Sequence, residues 1–595
     1  MAFHAQQTPI VRLLGLLLAS VMFVGAAHAQ RERPPAVPEA ARFRVVIDAP
    51  RTYKRMLENG LDLVSWQRDQ RVTPELLERL VAEARASVKS AMAAEGYFDA
   101  TVRTAIEQGA ELSTVRITVV PGPRTHVTDV VLTFDGAISE AGEDARITQL
   151  RDTWSLTRGA PFRQAAWDTA KRDALAQLRN GRYAAARIAS SEARIDPATH
   201  TAVLRVVFDS GPVFHVGEVR VDGLKRYRAE VVANLNPLKR GEVYDADRLL
   251  LYQRRLLETG YFSTVQMAVD PDPARAQSAP LIVSVIEAPS QRIETGVSFS
   301  TDVRGRVTLD YANRDILDRA YRFHSVLQAD TRAQSIDLSL DTPPHPGATW
   351  ETYTARLRRT NIQGQRTQEA VVGAAHNWGH WSTPSQLALS AHIEQKDIAG
   401  SAGESVHAVY ASYRNAFRHT DQLVFPRKGV LGTVEIGSGL PGLSTRTFLR
   451  TVAHATFLWP LGRDDDLTLR GDAGVVGAQS RFGIPSSFLF RTGGDRSVRG
   501  YAFESLGVHQ GSAIVGGRYL LVTSAEYTHW ISASWGAAAF VDAGNAFDNL
   551  GSVKLARGYG VGARWRSPVG PFRADIAYGE VTKRLRLHFS VGFTF

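Results

Sequence analysis

From Arg584 to Phe595 the sequence reads R-L-R-L-H-F-S-V-G-F-T-F. Leu585, Leu587, Phe589, Val591, Phe593 and Phe595 alternate without a break against Arg584, Arg586, His588, Ser590, Gly592 and Thr594. A period of two belongs to a strand whose faces meet different surroundings. A wholly apolar face ending on an aromatic would invite aggregation in water, but in a membrane barrel it is the lipid-facing side. The segment 585–595 therefore predicts the closing strand of a transmembrane β-barrel.

Working back toward the N-terminus, the same period holds for about three hundred residues. From about Gln291 the helical period gives way to short alternating segments separated by Gly, Asp, Asn and Pro turn signals. Tyr321, Phe323 and Leu327 fall on one face and Arg322, His324 and Gln328 on the other, with Ser325 and Val326 out of phase. At about 19 residues per strand and turn, residues 290–595 suit roughly sixteen antiparallel strands, an even number as bacterial barrels require. The polar stretches Asp341 to Thr349 and Gly477 to Ser487 are expected to be extracellular loops or elements folded into the lumen.

Ahead of the barrel the pattern is helix and strand, repeated. Thr73-Pro74-Glu75 is a helix start, with Thr as N-cap and Pro at the first helical position. Leu77, Val81, Ala84, Val88 and Met92 then follow one helical face, and the helix ends at Glu95-Gly96-Tyr97-Phe98. A β-prone stretch, Ser113 to Val120, runs on into Pro121-Gly122-Pro123. The ending recurs as Asn180-Gly181-Arg182-Tyr183 and Thr259-Gly260-Tyr261-Phe262, about 80 residues apart each time. Gly122-Pro123 with Val127 and Gly211-Pro212 with Val216 share one spacing, and Asp135-Gly136 or Asp222-Gly223 follows. Ala288-Pro289 closes the third unit. The boundaries read 41–122, 123–212 and 213–289: three α+β domains in a multidomain chain. Glycine after each helix acts as a left-handed terminator, with an aromatic packing back on the core.

Arg12, the apolar run Leu13 to Val24 and Ala27-His28-Ala29 predict a secretory signal peptide over residues 1–29. Residues 30–40, with the Pro-rich run Arg31 to Pro38, form a tether. Cysteine is absent, which removes disulfides, thiolate metal sites and Cys nucleophiles from an exported chain. The net charge of +10 is spread along the chain rather than gathered in one tract, so nucleic acid is not the expected partner. A mean hydropathy of −0.17 does not argue against the membrane, because barrel strands interleave apolar with polar residues.

Motifs for chemistry are missing: there is no HExxH, no GxSxG nucleophile and no glycosidase-type carboxylate pair. No enzymatic activity, cofactor or metal is expected. His376 and His380 read as a lumenal or interface pair. Gly558, Gly560 and Gly562 lack the GxGxxG pattern and the crossover helix of a phosphate loop, and are read as permitting strand bending.

Between two barrel segments lies Arg491-Thr492-Gly493-Gly494-Asp495-Arg496-Ser497-Val498-Arg499-Gly500-Tyr501, Gly-rich and strongly charged. Further on comes Phe540-Val541-Asp542-Ala543-Gly544. The tetrad Val498, Arg499, Gly500, Tyr501 and the motif Phe540, Asp542, Gly544 resemble the lumenal-loop and strand signatures of the BamA/TamA superfamily of POTRA-plus-barrel proteins. Phe425-Pro426-Arg427-Lys428-Gly429, Gly516-Gly517 before Glu526-Tyr527, and Ser567-Pro568-Val569-Gly570-Pro571 add weaker matches, and the resemblance covers nearly the whole mature chain. Three POTRA-like units look most like the TamA branch, since BamA usually carries five and two-partner secretion transporters two.

The resemblance implies that Arg499 anchors the loop in the lumen and that Asp542 faces inward to accept its hydrogen bonds. A guanidinium's planar fork suits a carboxylate for that purpose. It implies that Leu587, Phe589, Val591, Phe593 and Phe595 form an outer-membrane sorting signal, with the POTRA-like domains in the periplasm. It implies insertion or secretion of outer-membrane client proteins such as autotransporters, without nucleotide. This would proceed through a seam between a first strand near Gln291 to Ser300 and the last strand, within outer-membrane lipid. The implied partner is a TamB-like periplasm-spanning protein, and exposed sheet edges of the repeats would receive extended segments. Two other readings stand beside this one: a two-partner secretion transporter exporting one exoprotein through the lumen, and a passive pore or binding barrel.

Overall fold

A computed structural model describes residues 43–594 apart from 70, 110, 111, 141, 400–402, 423, 424, 568 and 569. The signal peptide, the tether and Phe595 lie outside the described residues, as do Pro568 and Val569 and the side chains of Val591 and Phe593.

Each of three successive segments forms a three-stranded sheet with its first strand parallel to its last. Phe43–Asp48 pairs with Ser113–Val120, His126–Asp135 with Thr201–Asp209, and Val216–Asp222 with Ala279–Glu287. In every case the second strand, Thr101–Glu107, Arg187–Asp196 or Phe262–Val269, lies antiparallel on the far side. The helix of the first segment, Pro74–Ala94, starts where Thr73 Oγ1 accepts the Leu76 N–H at 3.2 Å. It buries Leu77, Val81, Ala84, Val88 and Met92 against Val115, Ile117 and Val119 of the sheet. The chain divides into two compact units; the first two segments fill one, and the third shares the other with everything C-terminal to it.

That C-terminal part is a closed antiparallel barrel of sixteen strands in chain order, from Gln291–Ser300 to Arg584–Thr594. Among the described residues no helix is long and apolar enough to cross a membrane. The face assignment follows from exposure: Leu585 and Leu587 are 70% and 69% exposed, whereas His588, one residue further on, is 4% exposed. The first face would meet lipid and the second the lumen.

Ladder length varies around the barrel. Thr349–Ile362 pairs with Gln365–His380 along its whole length. Among the described residues the closing seam joins Gly296–Ser300 to Ser590–Thr594, five residue pairs. On its other edge the last strand pairs Arg584–Ser590 with Arg573–Gly579. One half of the last strand is thus held from one side and the other half from the other, overlapping at Ser590. Gln291–Thr295 has no seam partner among the described residues.

The third segment packs on one end of the barrel. Tyr261 Oη donates to Ala320 O at 2.5 Å, Asn234 Nδ2 to Pro344 O at 2.9 Å, and Arg322 to Thr259 O. Ala320 and Ala348 join the segment's buried core beside Tyr227, Tyr261 and Leu256. The stretch Asp341 to Thr349 is therefore a turn on the repeat side, and its expected place as an extracellular or lumenal loop is corrected. Odd or even strand position decides the side of a turn, and composition carries no record of that.

Candidate functional site

The connection between strands Asp465–Gly477 and Tyr519–Trp530 folds into the lumen instead of standing off the barrel. Ile484, Phe488, Phe490, Val498, Arg499 and Tyr501 are all buried. Its early part is pinned by two glutamates on facing strands. Glu394 accepts the Ser486 N–H at 3.0 Å and its hydroxyl at 2.9 Å, and Glu369 accepts the Ser487 hydroxyl at 2.5 Å. Phe488 sits 4.5 Å from the Tyr410 ring and 5.0 Å from Phe448, so apolar packing accompanies the charged anchors.

The later part is pinned by Arg499. Its backbone N–H and Nε donate to Asp542 Oδ2 at 3.0 and 2.7 Å, and Nη2 donates to Oδ1 at 2.9 Å. Nη1 reaches Glu526 Oε2 at 2.7 Å and Asp575 Oδ2 at 3.2 Å. Asp542 is 0% exposed and also accepts the Ser524 hydroxyl at 2.6 Å. Arg564 donates to Glu526 at 2.9 Å and to Asp575 at 2.6 Å, which completes a ring of two guanidiniums and three carboxylates. Desolvating such groups is costly unless every partner is in place, and here each carboxylate has at least two donors.

The strand motif around Asp542 works as one surface because residues two apart share a face. The Arg499 guanidinium carbon stands 3.3 Å from the Phe540 ring centroid, a cation–π stack. A Cβ at Gly544 would lie 3.0 Å from Val498 Cγ2 and 2.8 Å from Leu521 O, so glycine there admits the loop's valine. Gly500 has φ +91°, and a Cβ on it would meet Gly579 N at 2.7 Å. Tyr501 Oη donates to Arg557 O at 2.9 Å and accepts the Val581 N–H at 3.1 Å.

Gly558, Gly560 and Gly562, read as permitting bending, each have a close neighbour that a side chain would meet. Cβ atoms there would fall 1.9 Å from Arg499 O, 2.1 Å from Ile576 O and 1.8 Å from Asp575 Oδ1. Gly558 leaves room for the loop backbone, Gly562 for the Asp575 carboxylate, and Gly560 for the backbone of the adjoining strand.

Two contacts join the loop to the seam strands. Gly500 N–H donates to His588 Nε2 on the last strand at 2.9 Å. Asp302, in the turn after the first strand, accepts the Asp495 N–H at 2.7 Å. Neither acceptor was singled out in the sequence. His588 sits on the polar face of the alternating segment, which was the available signal, but Asp302 has none. Leu587 and Phe589 lie on the opposite, exposed face. His376 stands 3.1 Å from Glu351 and His380 3.8 Å from Glu258, so the two histidines have separate partners and form no joint site. Among the described residues no group of three or more His, Asp or Glu is arranged to hold a metal ion.

The structure thus joins a closed barrel holding a buried, charge-anchored loop to sheet-and-helix repeats that precede it in the chain. Residues 291–595 match the Omp85 superfamily domain, and residues 214–288 match the POTRA family, surface antigen variable number repeat. The chain belongs to the Omp85 superfamily. It is 23% identical over 510 residues to the outer membrane protein assembly factor BamA of Neisseria meningitidis, covering 71% of this chain and 62% of that one. It is 24% identical over 423 residues to BamA of Nitratidesulfovibrio vulgaris, covering 67% and 52%. The chain thus spans a little over half the length of these curated relatives. The crystal structure of BamA from Haemophilus ducreyi lacking POTRA domains 1–3 superposes with TM-score 0.60 at 16% identity, covering 79% of this chain and all of that one.

Proposed function

We propose that this protein is an outer-membrane assembly or secretion factor that inserts or translocates client outer-membrane proteins. Clients would dock on the periplasmic repeats and be templated at the barrel seam. The observation that carries this is the short seam, five pairs between Gly296–Ser300 and Ser590–Thr594, beside a loop anchored to the strands next to it. Unpaired ladder groups in hydrocarbon cost several kcal/mol each, so opening is favourable only as a client strand takes the vacated positions.

The three POTRA-like repeats favour the TamA branch of the superfamily, with autotransporters among the clients and a TamB-like periplasm-spanning protein as partner. A two-partner secretion transporter is the second reading, favoured by the same loop-in-lumen plan. It differs in sending one exoprotein through the lumen rather than past the seam.

The chain has no cysteine, so a pair introduced at Ser298→Cys and Gly592→Cys, opposite each other in the seam, is the only thiol pair present. Oxidation should block client assembly in reconstituted membranes and reductant should restore it. Normal assembly in the oxidised form overturns the lateral route. Deleting residues 31–289 should abolish assembly, whereas a passive pore would keep working.

A further inference from the structure

Across the outward face of six adjacent strands, four carry an abrupt step from apolar to polar. Leu309, Leu327, Ile336, Leu357, Ala370 and Ile393 stand opposite one another in register, one per strand, as a continuous apolar row. Two residues further along each strand the facing row is Val307, Ala329, Gln334, Arg359, Gln368 and Gln395. Strands lie about 4.8 Å apart and rise about 3.4 Å per residue, so the rows run some 24 Å across and sit about 7 Å apart. The small Ala329 and Ala370 among larger neighbours leave a groove of about 730 Å³.

The polar row holds one cation and no carboxylate. Arg359 is exposed, and Arg366, its diagonal neighbour on the adjoining strand, faces the same way one row further out. Asp397 stands opposite Arg366 in register. Even so, neither arginine has an ion pair or hydrogen bond among the described residues. Unpaired guanidiniums at the edge of a hydrocarbon-facing groove are placed to meet an anion, and their fork geometry suits phosphate.

The level in the membrane follows from the strand itself. Thr349–Ile362 begins next to Ala348, which packs in the core of the third repeat, and Arg359 lies ten residues further on. About nine to eleven residues of tilted strand cross a bilayer, so Arg359 reaches the headgroups of the leaflet away from the repeats.

We propose that this face is a binding site for a phosphorylated, multiply acylated lipid of the outer leaflet. Its acyl chains would lie along the apolar row, and its phosphate would sit between Arg359 and Arg366. The inference rests on the membrane placement of the barrel and not on the assembly activity. The test therefore reads lipid binding and client assembly separately.

The full-length protein, purified in detergent, is titrated with a bis-phosphorylated six-chain disaccharide lipid, its dephosphorylated form and a zwitterionic two-chain phospholipid. Bound lipid is counted by native mass spectrometry. The phosphorylated lipid should be retained at least tenfold more tightly than the other two. Arg359→Gln with Arg366→Gln should remove that preference, and Arg359→Lys with Arg366→Lys should keep most of it. Heat-dependent gel migration confirms that each variant is a folded barrel. Equal retention of phosphorylated and dephosphorylated lipid, or unchanged preference in the folded glutamine variant, overturns the proposal. Loss of preference with client assembly intact supports it and leaves the assembly reading untouched.

Discussion

Arg499 and Asp542 meet through three hydrogen bonds, one from the arginine's own backbone and two from its guanidinium, all within 3.0 Å and fully buried. The loop backbone and its side chain thus address the same carboxylate, so position and charge are secured together. Removing Arg499 leaves the buried Asp542 charge without a countercharge among the described residues, at a cost of about 3–5 kcal/mol, whereas Arg499 without Asp542 keeps Glu526 and Asp575. Arg499→Ala should lower barrel unfolding stability by that order, and Asp542→Asn by less. The double variant should lose far less than the sum, since both remove the same interaction. Additive losses in a denaturant series would show that the two residues act independently.

Gly558 lies under the carbonyl of Arg499, where a Cβ would be 1.9 Å from oxygen. Gly558→Ala should displace the tetrad while leaving every charged group in the chain, and so reproduce much of the Arg499→Ala defect. A control at Gly471, where a Cβ meets nothing within 4 Å, should be near neutral. Limited proteolysis of the loop in folded barrels distinguishes the two, and equal protection in both variants would argue against the close-approach role.

His588 accepts the Gly500 N–H through Nε2, which only a ring unprotonated at that nitrogen can do. His588→Ala should loosen the link between loop and last strand and raise seam opening, with the Arg499 network unchanged. Hydrogen exchange over Gly296–Ser300 should rise several-fold in this variant. Unchanged exchange would mean that the contact does not restrain the seam.

Burial, reinforced by the charge of Asp495, pushes the Asp302 carboxyl up to about 7, against the pull of the Asp495 N–H and of Arg332. The unfolded carboxyl titrates near 3.9, so the folded state binds the proton more tightly. The sign follows: the Asp495 N–H favours the ionised oxygen, but burial and repulsion by the Asp495 carboxylate outweigh it, so the Asp302 charge opposes loop docking most above pH 7 and docking is favoured as pH falls from 8 toward 6. Loop protection should therefore increase on mild acidification in the wild type. Asp302→Asn, which keeps an acceptor for the Asp495 N–H, should flatten that response. A pH dependence of the same size in the variant would assign it to another group.

Sequence reading reached some of these features and missed others for identifiable reasons. Alternation over Arg584 to Phe595 needs only neighbouring residues to be interpreted, and the structure carries its described part as the last barrel strand. The buried helical face Leu77, Val81, Ala84, Val88 and Met92 is local in the same sense. Arg499 and Asp542 stood out because each sits in a compact, unusual motif. Glu526 appeared only as a weak supporting match, and Arg564, Asp575, Glu369 and Glu394 did not appear at all. On their strands they are ordinary polar residues of the lumen face, and their roles come from strands far apart in sequence meeting around the lumen. The glycines of Ala556–Ser567 were visible, but what they make room for was not.

By itself, the sequence determined the period of each segment, and with it three helix-and-sheet repeats, a barrel of about sixteen strands and which side chains face lipid. Those are consequences of local geometry, 3.6 residues per helical turn and two per strand pleat, written into every few residues. Only the tertiary structure decided the rest: that the seam joins five pairs among the described residues, that the Asp341 to Thr349 turn lies on the repeat side, and that one loop bridges Asp302, Asp542 and His588. These depend on register and closure, where partners from 43 to 298 residues apart are brought together by the sum of all the ladders, and no single stretch of sequence encodes that sum.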